Sequence, residues 1–347
     1  MQIKKLQFEE KINGWTLNET YFNSLTLLFG NNGVGKTKIF NCIKTLKKIV
    51  NGKSFNGIKW EIKLYDNEIG NIKWLGETDI SKDVFDSNQF PINIINNKKA
   101  NFNFIKEELF INDNKLSSRK NEVIYYKDYK ELKLTQEKSL LNILEEDEIL
   151  KIRNKFKINC NFIHEIDKPI STKTKLFLKE INNFNDLKNN INIDIPEKLY
   201  LSFGHFENIF KKIKRNFISL FPFIEDIRFE RINELSEGIE NYEVIQFREK
   251  FSPNWINGWH FSKGMMKVLS ILTYFELSPK NSIFLIDEFE NSLGSDILNN
   301  LLSLIACKIH DNQIILSSQN QLVSENISVD SLKKVSRNKN IVTVSSI

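Results

Sequence analysis

Glycines at 30, 33 and 35, followed by Lys36 and Thr37, fall where an apolar run breaks off and a helix-like pattern begins. Glycines let successive backbone N–H groups converge on phosphate oxygens, and the first turn of a helix adds its partial positive charge. Gly30 to Thr37 matches G-x-x-x-x-G-K-[S/T] and sits between a strand pattern and a helix pattern, which is the context that gives the motif meaning. Asn32, Gly33, Val34, Gly35, Lys36 and Thr37 are therefore the expected contacts of a nucleoside triphosphate, with Lys36 reaching the β- and γ-phosphates and the Thr37 hydroxyl on Mg²⁺. Hydrolysis needs a carboxylate for the metal and a means of activating water. Ser282 to Ile286 followed by Asp287-Glu288 describes a buried strand whose C-terminal end delivers two carboxylates to a ligand crevice. Asp287 is expected to hold Mg²⁺ directly or through water, and Glu288 to orient and polarise the attacking water.

These residues work only if regular elements hold them. Residues 2–11 and 22–29 read as strands, with Asn13-Gly14 as a hairpin signal between them, and the second is continuous enough for a buried central strand. From Gly35 onward, Ile39, Phe40, Ile43, Leu46, Ile49 and Val50 recur at helical steps until Asn51-Gly52. Residues 57–66 and 71–80 alternate around Asp66-Asn67, and strand-like pieces continue to about 135, which predicts an antiparallel β region. The stretch 136–222 is mainly helical, with interruptions at Pro169 and Pro196. Its basic cluster, Lys211, Lys212, Lys214 and Arg215, reads as a solvated helix face, with binding to a phosphate backbone as the lesser reading. After 262, helix and buried strand alternate as in an α/β sheet. An α/β fold with a mixed sheet is expected in three parts: 1–135 with the glycine loop and an antiparallel β subdomain, 136–222 as a helical insert, and 223–347 with the remaining motifs.

Hydrophobic residues make up 41% of the chain and aromatics 12%, enough for a full core. The formal charge of +5 is spread along the sequence, so nucleic acid is permitted without being indicated. Cys42, Cys160 and Cys307 form no C-x-x-C pair, and His164, His205, His260 and His310 show no ligand spacing. Neither a disulfide framework nor a zinc site is expected. Acidic residues stand where a signal peptide needs its apolar core, and no apolar run is long enough to span a bilayer, so a cytoplasmic location is expected.

Ser262-Lys263-Gly264 opens a helix whose Met265, Leu269, Leu272 and Phe275 share one face. A serine hydroxyl with a free helix N-terminus makes a second anion site. In a parallel sheet it falls too far from the glycine loop to share a phosphate within one subunit, so it is read as serving a second copy of the chain. Here the sequence resembles the ABC-type ATPases, whose signature motif carries Ser-x-Gly ahead of the Walker B strand and whose subunits pair head to tail around two ATP molecules. "IDEFENSL" (Ile286 to Leu293) and "IILSSQN" (Ile314 to Asn320) look like the Walker B, D-loop and switch strand of the small ATPases related to the overcoming-lysogenization-defect, RecF and SMC groups. Two positions depart from that pattern: Gly294 follows Leu293 where His is common, and Gln319 stands at the switch His. Gln319 can donate a hydrogen bond to a γ-phosphate but cannot carry a proton charge, which implies slow hydrolysis or ATP-gated switching. Residues 108–126 and 220–230 resemble the inserted segments of the same proteins. Gln89 is a plausible coupling glutamine, and Trp259 and His260, just before Ser262, are expected to pack in the core, with approach to a partner's nucleotide as the other reading.

The resemblance implies a cytoplasmic ATPase using ATP and Mg²⁺, acting as a homodimer or higher homo-oligomer. More narrowly, it implies the sensor or regulator subunit of an antiphage system of the PARIS, Septu or retron-associated kind. In overcoming-lysogenization-defect proteins a Toprim nuclease follows the ATPase, and the stretch 289–347 is too short for one, so the effector is expected as a separate nuclease or toxin. Two other readings stay open: a RecF/SMC-like DNA-repair ATPase on duplex DNA, and a module that binds ATP without hydrolysing it.

Overall fold

The computed structural model describes residues 1–80, 102–127, 129–131, 135–164, 166, 169–232 and 242–346. The chain starts with an antiparallel pair, β1 (Gln2–Glu10) and β2 (Trp15–Tyr21), turning through Gly14 at φ 59°. The strand expected over 22–29 is shorter, β3 (Leu25–Phe29), because the Asn23 amide donates to Thr26 Oγ1 at 2.9 Å and closes a local turn ahead of it. The Asn13-Gly14 turn therefore joins β1 to β2 and not to the strand that precedes the glycine loop. Helix α1 (Lys36–Val50) follows the loop with Ile39, Ile43, Leu46, Ile49 and Val50 buried, and Gly52 lies past its end at φ 86°.

An antiparallel series comes next: β4 (Ile58–Asp66), β5 (Gly70–Thr78), β6 (Phe104–Ile111), β7 (Asn114–Lys120), β8 (Val123–Tyr126) and β9 (Tyr129–Glu131), with β4 also paired to β1. Helices α2 (Leu140–Ile143) and α3 (Asp147–Asn159) pack beside α1. After them come β10 (Cys160–Phe162), β11 (Ile170–Ser171), α4 (Phe184–Asn189), α5 (Ile195–His205) and α6 (Glu207–Leu220). Pro196 starts α5, whose cap is a reciprocal Asp194–Glu197 box, so this proline opens a helix where an interruption was expected. A small sheet is made by β11, β12 (Ile224–Ile232), β13 (Tyr242–Glu249) and β14 (Trp255–Asn257).

The alternation expected after 262 is present as α7 (Lys263–Leu277), β15 (Ile283–Ile286), α8 (Ser295–Lys308), β16 (Gln313–Ser318) and α9 (Gln321–Glu325). An antiparallel pair follows, β17 (Leu332–Asn338) and β18 (Ile341–Ser346). In the main sheet β10, β15, β16, β3 and β17 run parallel side by side, β18 lies next to β2, and the antiparallel series extends from β1. The range 136–222 thus contributes β10 to this sheet as well as its helices. Side chains alternate across the central strands: Ile283, Leu285 and Ile315 join a core shared with α1 and α3, whereas Phe284, Ile286, Ile314 and Leu316 join one shared with α5, α6, α7 and α8. A strand buried on both faces must be apolar throughout, which is why residues 283–286 read as an uninterrupted run.

Candidate functional site

Because β3, β15 and β16 are parallel neighbours, their C-terminal ends open on one edge of the sheet and the segments leaving them lie side by side. Gly33 and Gly35 take φ values of 81° and 108°, which L side chains rarely adopt, and a Cβ on Gly35 would stand 2.9 Å from Val342 Cγ2 of β18. Lys36 is 8% exposed, and its Nζ donates to the carbonyls of Gly30 and, at 2.9 Å, Asn31. Burial lowers the pKa of this ammonium, while the carboxylates of Glu290, Asp287 and Glu288 act to raise it.

A cleft of about 760 Å³ lies over the loop, lined by Asn32, Gly33, Gly35, Lys36 and Thr37 and, across from them, by Glu288 and Gln319. Val34 turns toward the core instead. Asp287 stands just outside this lining: its Oδ1 accepts from Ser317 Oγ and from the Glu288 amide at 3.1 Å. Glu288 sits at φ 47°, its amide also donates to Ser317 Oγ at 2.8 Å, and its Oε2 accepts from Asn291 Nδ2 at 3.1 Å. Ser317 on β16 therefore ties the two carboxylate-bearing residues to the neighbouring strand.

Ser262 caps α7, its Oγ accepting from the Met265 amide at 3.2 Å. Ser262, Lys263 and Gly264 do not line the glycine-loop cleft. Lys263 lines a separate cleft of about 840 Å³ together with Asp287, Glu288 and Ser292. Gly264 meets the main chain of Ser292 so closely that an added Cβ would overlap the Ser292 carbonyl. The serine-glycine segment is thus packed against the stretch that follows Glu288, away from the loop of its own chain.

Glu290 lies within the Ile286–Leu293 motif, and its type and spacing alone suggest no role for it. Its Oε1 accepts from the Gln319 amide at 2.8 Å, its Oε2 is buried without a hydrogen-bond partner, and it lines the cleft. Arg337 reaches the Gly33 carbonyl from β17 at 3.4 Å. The far wall holds Trp15 of β2, with Lys38 Nζ 4.3 Å from its ring centroid and ion-paired to Glu10 at 2.8 Å. No local pattern marks these residues, because strand pairing over long sequence distances brings them here. Gln89 lies outside the described residues; the strand beside β15 is β10, so the chain leaving it continues as Ile163 and His164. Trp259 is 44% exposed and His260 is exposed, which corrects the expectation of core packing: the short turn Gly258–His260 sets Gly258 against Ile245 and leaves the next two residues outside. Three members of the basic cluster are paired, Lys211 with Glu207, Lys212 with Glu276 and Lys214 with Asp226, each at 2.8 Å.

Among the described residues no group of three or more His, Cys, Asp or Glu side chains could hold a metal by itself. The Thr37 hydroxyl and the Asp287 carboxylate are hard oxygen donors of the kind Mg²⁺ takes when phosphate oxygens and water complete its shell, so the residues fit that ion as a companion of a nucleotide. Among the described residues no helix is long and apolar enough to cross a membrane.

Parallel core, glycine loop and carboxylate strand together define an ABC/SMC-like P-loop ATPase fold. A crystal structure of an Smc head bound to the C-winged helix domain of ScpA is similar at a TM-score of 0.56 and 14% identity, covering 100% of this chain and 98% of that one. The SMC head domain from Thermotoga maritima has a TM-score of 0.46 and 13% identity over 100% and 99% of the two chains. Residues 25–325 match the family described as "AAA domain, putative AbiEii toxin, Type IV TA system", and the chain belongs to that family. No curated protein matches.

Proposed function

We propose that this protein is an ABC-type ATPase that binds ATP with Mg²⁺ between two copies of itself, hydrolyses it slowly, and thereby regulates a separate effector in an antiphage defence system. The observation that carries the ATPase reading is the cleft that Lys36 shares with Glu288 and Glu290, with the Asp287 carboxylate just outside it and also acting on the Lys36 ammonium. In this reading the loop amides from Asn32 to Thr37 cradle the phosphates and Lys36 leaves its carbonyl partners to bind them. Magnesium supplies neutralisation of charge on the β- and γ-phosphates and is held by Thr37 and Asp287. Glu288 takes the role of general base toward water, and Gln319, its amide anchored on Glu290, hydrogen-bonds the γ-phosphate. Ser262, Lys263 and Gly264 complete the phosphate contacts of the partner copy. The family's description names a putative toxin of a two-component system, which is in keeping with a second component encoded apart from this chain.

The test compares nucleotide binding, turnover and molecular mass for the unmodified chain, Lys36→Ala and Glu288→Gln. Lys36→Ala should lose ATP binding. Glu288→Gln should bind ATP, turn it over at least about 100-fold more slowly, and double in mass when ATP is present. Unchanged turnover in both variants would overturn the reading. A DNA-repair role would replace the defence role if duplex DNA stimulated turnover with a steep salt dependence; the ion pairs of Lys211, Lys212 and Lys214 reduce the free charge that cluster offers a DNA backbone.

A further inference from the structure

The last two turns of α1 open on another cleft, of about 660 Å³, closed by the end of α3, β10, the stretch 190–198 and the end of α7. Five lysines converge on it: Lys44, Lys47 and Lys48 from α1, Lys157 from α3 and Lys198 from α5. Among the described residues none of them forms an ion pair. Lys47 Nζ donates to the Cys160 carbonyl and Lys198 Nζ to the Lys188 carbonyl at 2.6 Å, both uncharged oxygens. Two carboxylates share the wall: Asp194, which accepts from the Glu197 amide at 2.9 Å and acts on Lys198, and Glu197, which accepts from the Asp194 amide at 3.0 Å and from the Thr174 hydroxyl at 2.9 Å. Burial pushes down the pKa of Lys47 and that of Lys198, the latter to about 8.

Cations in the last turn of a helix offset its negative end, which accounts for Lys47, Lys48 and Lys157. It does not account for Lys44, which stands earlier in α1, nor for Lys198, which is 4% exposed near the positive end of α5. Lys198 is buried and Lys44, Lys47 and Lys157 are partly buried, and five ammonium groups outnumber the two carboxylates on the wall, so an entering anion would offset an excess of positive charge. The volume lies in the range of small-molecule sites. The lysines line one cleft from three helices, where a nucleic-acid backbone would need a track along the surface.

We propose that this cleft binds a small anion bearing two or more clustered phosphates, at a site separate from the glycine loop. Its occupant would contact the same helix whose first turn closes that loop. The test is calorimetric titration of inorganic tripolyphosphate into the full chain carrying Lys36→Ala, which silences the loop, so the outcome does not depend on the ATPase reading. One tripolyphosphate should bind per chain, Lys48→Glu with Lys157→Glu should weaken it at least tenfold, and Lys211→Glu should leave it unchanged. If the reversals disturb folding, as judged by circular dichroism, Lys48→Gln with Lys157→Gln should weaken binding by a smaller factor. Absence of binding to the Lys36→Ala chain, or an affinity indifferent to the changes at Lys48 and Lys157, would overturn the proposal. So would displacement of tripolyphosphate by a lower concentration of duplex DNA.

Discussion

Gly264 and Gly294 bracket the carboxylate segment and make opposite demands. A Cβ on Gly264 would overlap the Ser292 carbonyl, a main-chain atom that cannot step aside, so Gly264→Ala should cost about 1–3 kcal/mol. Gly294 has nothing within 4 Å and a φ of −75°, so Gly294→Ala should change stability by no more than about 0.5 kcal/mol. Thermal melts of the two variants check this, and equal melting points would mean that α7 does not hold the segment after Glu288. Glu290→Gln keeps an acceptor for the Gln319 amide while removing one of three negative charges near Lys36. ATP, itself an anion, should then bind several-fold more tightly in an equilibrium titration; an unchanged affinity would show that Glu290 acts on Gln319 alone. At this scale the positions of the loop at the end of β3, of Asp287-Glu288 at the end of β15 and of Ser262 at the start of α7 were legible, because such motifs set particular residue types at short fixed spacing. The part played by Glu290 was not, since it depends on an amide and a lysine delivered by other strands.

Among the elements, the junction between the antiparallel series and the following helices rests on two buried charges. Arg119 of β7 donates to the carbonyls of Thr135, Gln136 and Lys138, at 3.1, 3.3 and 2.7 Å, while Glu107 of β6 accepts from Trp74 Nε1 and the Leu140 amide, each at 2.8 Å, and from Ser139 Oγ. Burial raises the Glu107 pKa, and the Arg119 charge beside it acts in the opposite sense. Arg119→Ala leaves three carbonyls without their donor and Glu107 without its counter-charge, and should cost about 3–5 kcal/mol in urea unfolding. A loss below about 1 kcal/mol would place the tie elsewhere. Helix α1 and the alternation after 262 were readable from periodicity. Strand β2 was not, since Trp15–Tyr21 mixes buried and exposed polar residues, and the three residues of β10 are a strand only by pairing with β15.

For the whole molecule, stability against acid depends on a few carboxylates that link distant elements. Glu276 of α7 is held by Lys212 of α6 and Lys308 of α8, each at 2.8 Å; burial alone would raise its pKa, but these ammonium groups bring it below the usual carboxylate value. Asp66 behaves likewise: burial opposes ionisation, and Lys155 at 2.7 Å and the Glu68 amide outweigh it. A folded-state pKa below the unfolded one gives stability that is present above the ordinary carboxylate range, near pH 4, and is lost as the pH falls through the lowered values. Urea midpoints should therefore hold steady near neutrality and fall below about pH 4. Glu276→Gln should flatten that fall, and an identical fall in the variant would remove Glu276 from the account. The pairing of β17 with β3 and of β18 with β2 also bears on how the chain folds. It closes loops of about 300 residues, which makes these contacts slow to form. Since Val342 and Arg337 brace the glycine loop, a ligand on that loop should slow unfolding more than it speeds folding, which stopped-flow rates with and without ATP check.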